Sequence, residues 1–534
     1  MIKKLLIMEI DNTIRKRLPA GIQSFQVIRE EGYLYVDKSD QIWRLANYGK
    51  KYNYLSRPRR FGKSVLVDTL QAYFEGRKEL FEGLKIMSLE KEWKQYPVIR
   101  FDMSLAGADS EALTSYFKIV FQQYEQLYDA AISEQASLAM RFMNIIDAAN
   151  KKTGKQVVVL IDEYDSPLQH SWKTPQHKEC TEIYRSVFAV LKAADAKERF
   201  IFITGITKFT QISLFSVLNN LTNISFLPEY ATLCGITEQE IADNFQSFLK
   251  LMAEKNKWTT QETHDKLKGY YDGYHFSDEN MEDIYNPFSL INALSEFRLR
   301  NYWASSGATS LLPKFVKDAE IRLQDFEDCL ILRNTLEMSD VTGGGAELFL
   351  YQTGYLTIKS CEDDTYHLGF PNEEVKQALY ECVLPALTMR QEADNQSLQA
   401  QLYLYLRNYQ LEKAMKALKA LIADVPYSNK KLASMDMEER YRLIISTILN
   451  AIGFRVEVEK MIATGRIDMV VETPNYIYVL ELKLTKNGGV AAAEEQMKGR
   501  QYTEPFKADK RKVIALVIEL ENLGKGLVDW KEVI

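Results

Sequence analysis

Cysteine and histidine are scarce, with five of each in 534 residues. The cysteines (Cys180, Cys234, Cys329, Cys361, Cys382) are scattered, with no C-x-x-C and no Cys/His pair at ligand spacing. That excludes a sequence-readable zinc site or disulfide framework and points to reduced thiols in a cytoplasmic setting. With so few histidines and no nucleophile-elbow glycines, Ser-His-Asp hydrolysis lacks support. No run approaches the roughly 18 continuous apolar residues of a membrane helix, so no membrane partner is expected. The opening MIKKLLIMEI lacks the long apolar core and small-residue cleavage site of a signal peptide. Neither sign of charge dominates, since the net charge is −6. A nucleic-acid partner must therefore be argued from a local site.

The composition, 46% hydrophobic and 26% charged, is that of a folded globular chain, and the length predicts two to four domains. The first third alternates strand-like and helix-like stretches. Strands are expected at Tyr52–Ser56, Pro97–Asp102, Val157–Ile161 and Phe200–Thr204, with helices after Lys63 and across 111–149. Such alternation predicts a mostly parallel sheet with helices on both faces. Residues 235–425 read as a mostly helical middle region rich in Tyr and Phe, with a turn signal at Gly343-Gly-Gly345. A hairpin is expected at Gly354–Lys359 and Thr365–Gly369 around the turn Glu362-Asp-Asp364, which suggests a winged-helix-like element. After a break near Pro426–Lys431, residues 431–534 read as helix (436–451), strands (454–460, 466–472, 476–483), helix (490–503) and a last strand (512–518).

Between the first strand and an amphipathic helix lies Tyr54-Leu-Ser-Arg-Pro-Arg-Arg-Phe-Gly-Lys-Ser64. In a phosphate-binding loop the backbone amides, with Gly62, and the helix N-terminus point at phosphates, Lys63 reaches the β and γ oxygens, and Ser64 ligates Mg²⁺. Arg57 stands where the general pattern G-x-x-x-x-G-K-[S/T] has its first glycine. The run Val157-Val-Val-Leu-Ile161 ends in Asp162-Glu163. Asp162 suits a Mg²⁺ held through water, and Glu163 suits a catalytic base polarising the attacking water; the plain alternative is an aspartate capping a turn. Thr204, ending the next strand, is a candidate for the γ-phosphate or the catalytic water. Arg57, Arg59 and Arg60 either add charge on the phosphates, contact the nucleotide of a neighbouring subunit in a homo-oligomer, or form a solvated basic loop. The stretch Thr207-Lys-Phe-Thr210 lacks the final aspartate of a guanine-specificity element, so ATP is expected rather than GTP.

These segments, together with Leu18-Pro-Ala-Gly-Ile-Gln-Ser-Phe25, Tyr33-Leu-Tyr-Val-Asp-Lys38, Asp162-Glu-Tyr-Asp165, Thr204-Gly-Ile-Thr-Lys208 and Leu218-Asn-Asn-Leu221, resemble the bacterial AAA-ATPase-like family. The resemblance continues through Tyr270-Tyr-Asp-Gly-Tyr-His-Phe276, Tyr285-Asn-Pro-Phe288 and Gly354-Tyr-Leu-Thr357. It implies an ATP-binding P-loop domain over 18–234 and, at the C-terminus, a PD-(D/E)XK nuclease domain of restriction-endonuclease-like α/β fold. An arginine-bearing loop is that family's habit.

The tail carries matching residues of its own. Asp468 in Gly465-Arg-Ile-Asp468 begins one strand, and Tyr478-Val-Leu-Glu-Leu-Lys483 ends the next. Glu481 and Lys483, two apart, share a strand face. Two carboxylates that hold Mg²⁺ and a lysine that orients water suit phosphodiester hydrolysis, with DNA the favoured substrate. Glu439, on the preceding helix with Tyr441, Ile444 and Ile448, is a further candidate ligand, and Gln496 on the following helix, with Tyr502 beyond, fits the family's glutamine position. The aromatic run Tyr270, Tyr271, Tyr274, His275 and Phe276 is expected to pack the middle region onto the ATPase, with base stacking the alternative.

Overall fold

The computed structural model describes residues 16–131, 135–208, 220–305, 326–338, 345–388, 392–423, 436–521 and 526–533. The N-terminal decapeptide, Leu218-Asn219, Gly343-Gly344, Thr210 and the break at Pro426–Lys431 lie outside the described residues. The chain divides into two compact units. The first holds the described residues up to Trp303 together with Phe326–Glu373, and the second runs from Glu374. The division thus falls inside 235–425, the stretch expected to stand as a region of its own.

The first unit is built on a parallel sheet of β1 (Tyr52–Ser56), β2 (Val98–Asp102), β3 (Val157–Asp162), β4 (Glu198–Gly205) and the short β5 (Thr222–Asn223), in the order β2-β3-β4-β1-β5. Strand β3 is buried at every position, as a strand covered on both faces must be. Alternation on β2 sorts the helices. Arg100 bonds Asp68 of α1 (Lys63–Phe74) at 2.8 Å. The next residue, Phe101, turns the other way. Its ring meets Phe117 and Phe121 of α2 (Ser110–Tyr128), Phe142 of α3 (Leu138–Thr153) and Phe188 of α4 (His177–Ala193). The helical stretch expected over 111–149 is therefore two helices. It breaks at Asp129, whose φ of 54° ends α2.

Beyond the sheet, α5 (Gln246–Asn256), α6 (Thr260–Tyr271) and α7 (Pro287–Glu296) close around Phe245, Phe248, Leu249, Met252, Leu267, Tyr271 and Leu290. Thr259 and Glu262 form a capping box at the start of α6, and Asn286 with Pro287 starts α7. The hairpin forms as β9 (Thr357–Glu362) and β10 (Thr365–Gly369), joined antiparallel by β8 (Cys329–Leu332). Its turn residues Asp363 and Asp364 both have positive φ, 45° and 61°, which a tight hairpin turn demands and aspartate tolerates.

The second unit carries the sheet β11 (Arg455–Ile462), β12 (Gly465–Glu472), β13 (Tyr476–Leu484), β14 (Lys512–Glu521) and β15 (Gly526–Val533), hydrogen-bonded in that order. Only β13 and β14 are parallel, and α9 (Gly489–Gly499) makes the crossover between them. Helix α8 (Met437–Ala451) precedes the sheet in the chain and packs on β11, β12 and β13. Strand β15 departs from the expectation that 512–518 is the last strand. Its Asp529-Trp-Lys-Glu532 run lies on an edge, where polar residues face water and no apolar signal appears.

Candidate functional site

Two constellations stand at strand ends, one in each unit. In the first, β1, β3 and β4 are parallel, so Ser56, Asp162 and Thr204 reach the same edge of the sheet, where ligands of open α/β sheets bind. The loop from Arg57 to Gly62 then enters α1. Arg57 N–H still bonds Gly205 O at 3.3 Å, which continues the β1–β4 pairing. Positive φ occurs at Arg60 (70°) and Gly62 (84°) and not at Arg57. The first glycine of the general pattern is therefore dispensable here, because the turn is made further along the loop. A Cβ on Gly62 would meet nothing within 4 Å, so the space over the helix N-terminus is open.

Lys63 is buried, and its Nζ donates to Arg57 O (3.0 Å) and Pro58 O (2.9 Å). Three donors on an ammonium leave one for a ligand. Burial lowers its pKa, opposed by the nearby Glu163 and Asp162. Burial pushes the Asp162 carboxyl up to about 6, opposed by the neighbouring Ser64 hydroxyl. Asp162 Oδ1 and Thr204 Oγ1 are both buried with no hydrogen-bond partner. Glu163 is half-buried with φ 49°, a strained backbone for a glutamate. Its neighbour Tyr164 holds it there through Tyr164 N–H to Thr204 O at 2.9 Å. A lysine with a donor in reserve, an acid with one oxygen unpartnered and an unpartnered threonine hydroxyl at a helix N-terminus fit a Mg²⁺–triphosphate.

The loop arginines behave differently from one another. Arg57 is 1% exposed, with its guanidinium on backbone carbonyls, so it is not part of a solvated basic loop. Arg60 is exposed and lies over Phe288 at 4.8 Å. Asp165, which closes the Asp162-Glu-Tyr-Asp165 stretch, is buried. It accepts from Ile206 N, Thr207 N, Thr207 Oγ1 and Gln169 Nε2 within 3.1 Å, tying the end of β3 to the chain leaving β4. Tyr271, Tyr274 and Phe276 are buried, and Phe61 of the loop packs on Tyr274 (4.8 Å) and Phe276 (5.3 Å). Burial removes these three rings from base stacking. His275 bonds Ile358 O and Asp283, each at 2.9 Å.

The second constellation is set by register. The pairs Met469↔Leu480 and Val470↔Val479 place Asp468 opposite Glu481, one step beyond the last registered pair. Asp468 Oδ2 accepts from Leu482 N at 2.8 Å, and its Oδ1 meets Arg442 Nη1 at 3.2 Å. Gln496 bridges the β13 pair: its Nε2 donates to Glu481 and to Tyr502 Oη (3.1 Å), and its Oε1 accepts from Lys483 Nζ at 3.2 Å. Glu481 is 1% exposed, and its Oε2 has no partner. Burial first, then the facing Asp468, pushes Glu481 up to about 8, and burial raises Asp468 as well. Two facing acids, both raised by burial, with one oxygen unsatisfied, fit a divalent cation.

Glu438, one residue before Glu439 on α8, reaches the region: its Oε1 accepts from Leu484 N (3.1 Å) and Asn487 Nδ2 (2.8 Å), and its charge bears on Asp468. Arg442 lies four residues after Glu438 on the same face, and it also bonds Glu459 at 2.6 Å. That i,i+4 pair was the available signal for both residues.

Residues 19–215 match the family model described as a predicted AAA-ATPase, and residues 436–530 match the PD-(D/E)XK nuclease superfamily. The "Uncharacterized protein in vnfD 5'region" of Azotobacter chroococcum mcd 1 is 31% identical over 97% of this chain and 98% of its own. Among solved structures, the ORC2 protein of Aeropyrum pernix, in ADPNP and ADP complexes, covers 70% of this chain and 97% of its own, at 11% identity and a TM-score of 0.29. Cdc6p of Pyrobaculum aerophilum covers 66% and 97%, at 12% identity and a TM-score of 0.23. With a relative matched along nearly its whole length and both models matched in order, the chain belongs to the predicted AAA-ATPase family, with a PD-(D/E)XK nuclease superfamily domain at its C-terminal end.

Proposed function

We propose that this protein binds and hydrolyses ATP with Mg²⁺ in its first unit and thereby controls metal-dependent cleavage of nucleic acid, DNA above all, in its second. The observation that carries the reading is shared by both sites. Each holds on a buried strand a carboxylate oxygen, Asp162 Oδ1 or Glu481 Oε2, that has no hydrogen-bond partner. Such groups are costly to bury unless a cation completes them.

In the first unit Lys63 and the amides around Gly62 would hold the β and γ phosphates, Ser64 and Asp162 the metal. Thr204 and Glu163 would position the attacking water, with Glu163 taking its proton. In the second, Asp468 and Glu481 would hold the ion and Lys483 would orient the nucleophile, kept in place by Gln496. Bound Mg²⁺ supplies charge neutralisation and a more acidic water. Arg60, exposed on the loop, would meet a neighbouring copy in a homo-oligomer.

Plasmid, linear duplex, single-stranded DNA and RNA would each be incubated with Mg²⁺ or Mn²⁺, with and without ATP. Cleavage should be lost in Glu481→Ala, and its nucleotide dependence in Lys63→Ala. No cleavage of any substrate by a protein that still binds ATP would refute the nuclease half, leaving a nucleotide-controlled switch whose tail binds without cutting.

A further inference from the structure

The buried side chain of Arg57 has no part in the function above, although it occupies a defining position of the phosphate loop. Its Nη1 donates to Ser56 O and Ser225 O, both at 2.8 Å, and its Nη2 to Tyr230 O at 2.9 Å. The guanidinium carbon lies 4.1 Å from the centroid of the Phe276 ring. Among the described residues no carboxylate pairs with it, and its Nε has no partner. Burial pulls its pKa down to about 10, so it keeps its charge at neutral pH. A buried cation held only by carbonyl dipoles and a ring face is an unbalanced charge.

The same residue touches the ligand-binding lysine directly, since Arg57 O accepts from Lys63 Nζ at 3.0 Å. The rest of the loop is clamped around it. Phe61 is fixed by Tyr274 and Phe276. Pro58 lies so close to Gly354 that a Cβ there would come within 2.5 Å of its own Cβ. The arginine loop, the Tyr274–Phe276 run and Gly354 thus form one packed assembly behind the phosphate cradle.

We propose that Arg57 is a positioning residue for the nucleotide: its side chain braces the loop that presents Lys63, and its unbalanced charge is complemented by the nucleotide's phosphates. Arginine at this position therefore binds ATP more tightly than the glycine of the general loop pattern would. The inference rests on the ATP-binding reading of the same site.

The test uses the full chain and its Arg57→Gly, Arg57→Lys and Arg57→Met variants. Melting curves establish folding, and a fluorescent ATP analogue with Mg²⁺ reports affinity. Arg57→Gly should weaken binding at least tenfold, with the loss appearing in KM for ATP rather than in kcat. Arg57→Lys should recover part of that loss, and Arg57→Met should not. A folded Arg57→Gly variant binding within twofold of the parent would overturn the proposal. So would equal affinities of the Lys and Met variants, a comparison that also decides the matter where the glycine variant does not fold. Failure of the parent itself to bind would instead overturn the ATP-binding reading.

Discussion

Replacing Glu481 by glutamine should make the metal-free protein more stable, by an amount that grows above pH 4.5 and is largest at alkaline pH. The side chain is 1% exposed, faces Asp468 across the β12–β13 pair and leaves one oxygen without a partner. Burial and that neighbour raise its pKa from 4.5 to about 8. An acid whose folded value is raised opposes folding once it must ionise. The penalty is absent below pH 4.5, grows between 4.5 and about 8, and is complete above that range. At about 1.4 kcal/mol for each tenfold change in acidity, the penalty is at most about 5 kcal/mol. In a unit of this size that corresponds to roughly 10 °C in melting temperature. Glutamine keeps the oxygen that Gln496 donates to and removes the charge. Scanning calorimetry without metal, at pH 5 and at pH 8.5, would compare the two proteins. The variant should match the parent at the lower pH and melt well above it at the higher. Mn²⁺ should then raise the parent's transition at pH 8.5 and leave the variant's where it was. A gap of the same size at both pH values, or a variant that is less stable at pH 8.5, would refute the reasoning.

Asp162→Asn should act alike in the first unit. Burial raises Asp162 from 3.8 to about 6, so the penalty builds over that window and the neutral variant gains up to about 3 kcal/mol at pH 7 without ligand. Urea unfolding would measure the gain, and nucleotide binding should lose its Mg²⁺ dependence. Glu163→Gln should retain ATP affinity while turnover falls about 100-fold or more, as expected for loss of a general base; an unchanged steady-state rate would show that Glu163 takes no proton. Phe101→Ala removes a ring that is 0% exposed and touches four other phenylalanines, at a cost of about 3 to 5 kcal/mol seen as a lower urea midpoint.

Much of the architecture was legible because each element announces itself locally. The continuous apolar runs of β3 and β4 mark strands buried on both faces, and the helical spacing of Leu66, Leu70 and Phe74 marks α1. The residues Gly62-Lys63-Ser64, Asp162-Glu163 and Glu481-x-Lys483 stand out because phosphate and metal chemistry requires those types at those spacings. Strand β15 was hidden because an edge strand carries no apolar alternation, and the boundary near Glu373 because no change of composition marks it. That Glu438 meets the Leu484 amide is set by helix phase, and one-residue precision in phase comes from packing rather than from pattern.

By itself, then, the sequence determined the order of the elements, the two families of site and the residue types in them, all of which depend on neighbours close along the chain. Only the tertiary structure decided that Arg57 turns inward onto Ser225, Tyr230 and Phe276, that Asp165 clasps Thr207, and that Asp468 faces Glu481 with Arg442 beside it. Those partners lie between 13 and 219 residues away. The burial that raises the acids, and leaves one oxygen of each site without a partner, belongs to no segment of the chain until the sheets have closed over it.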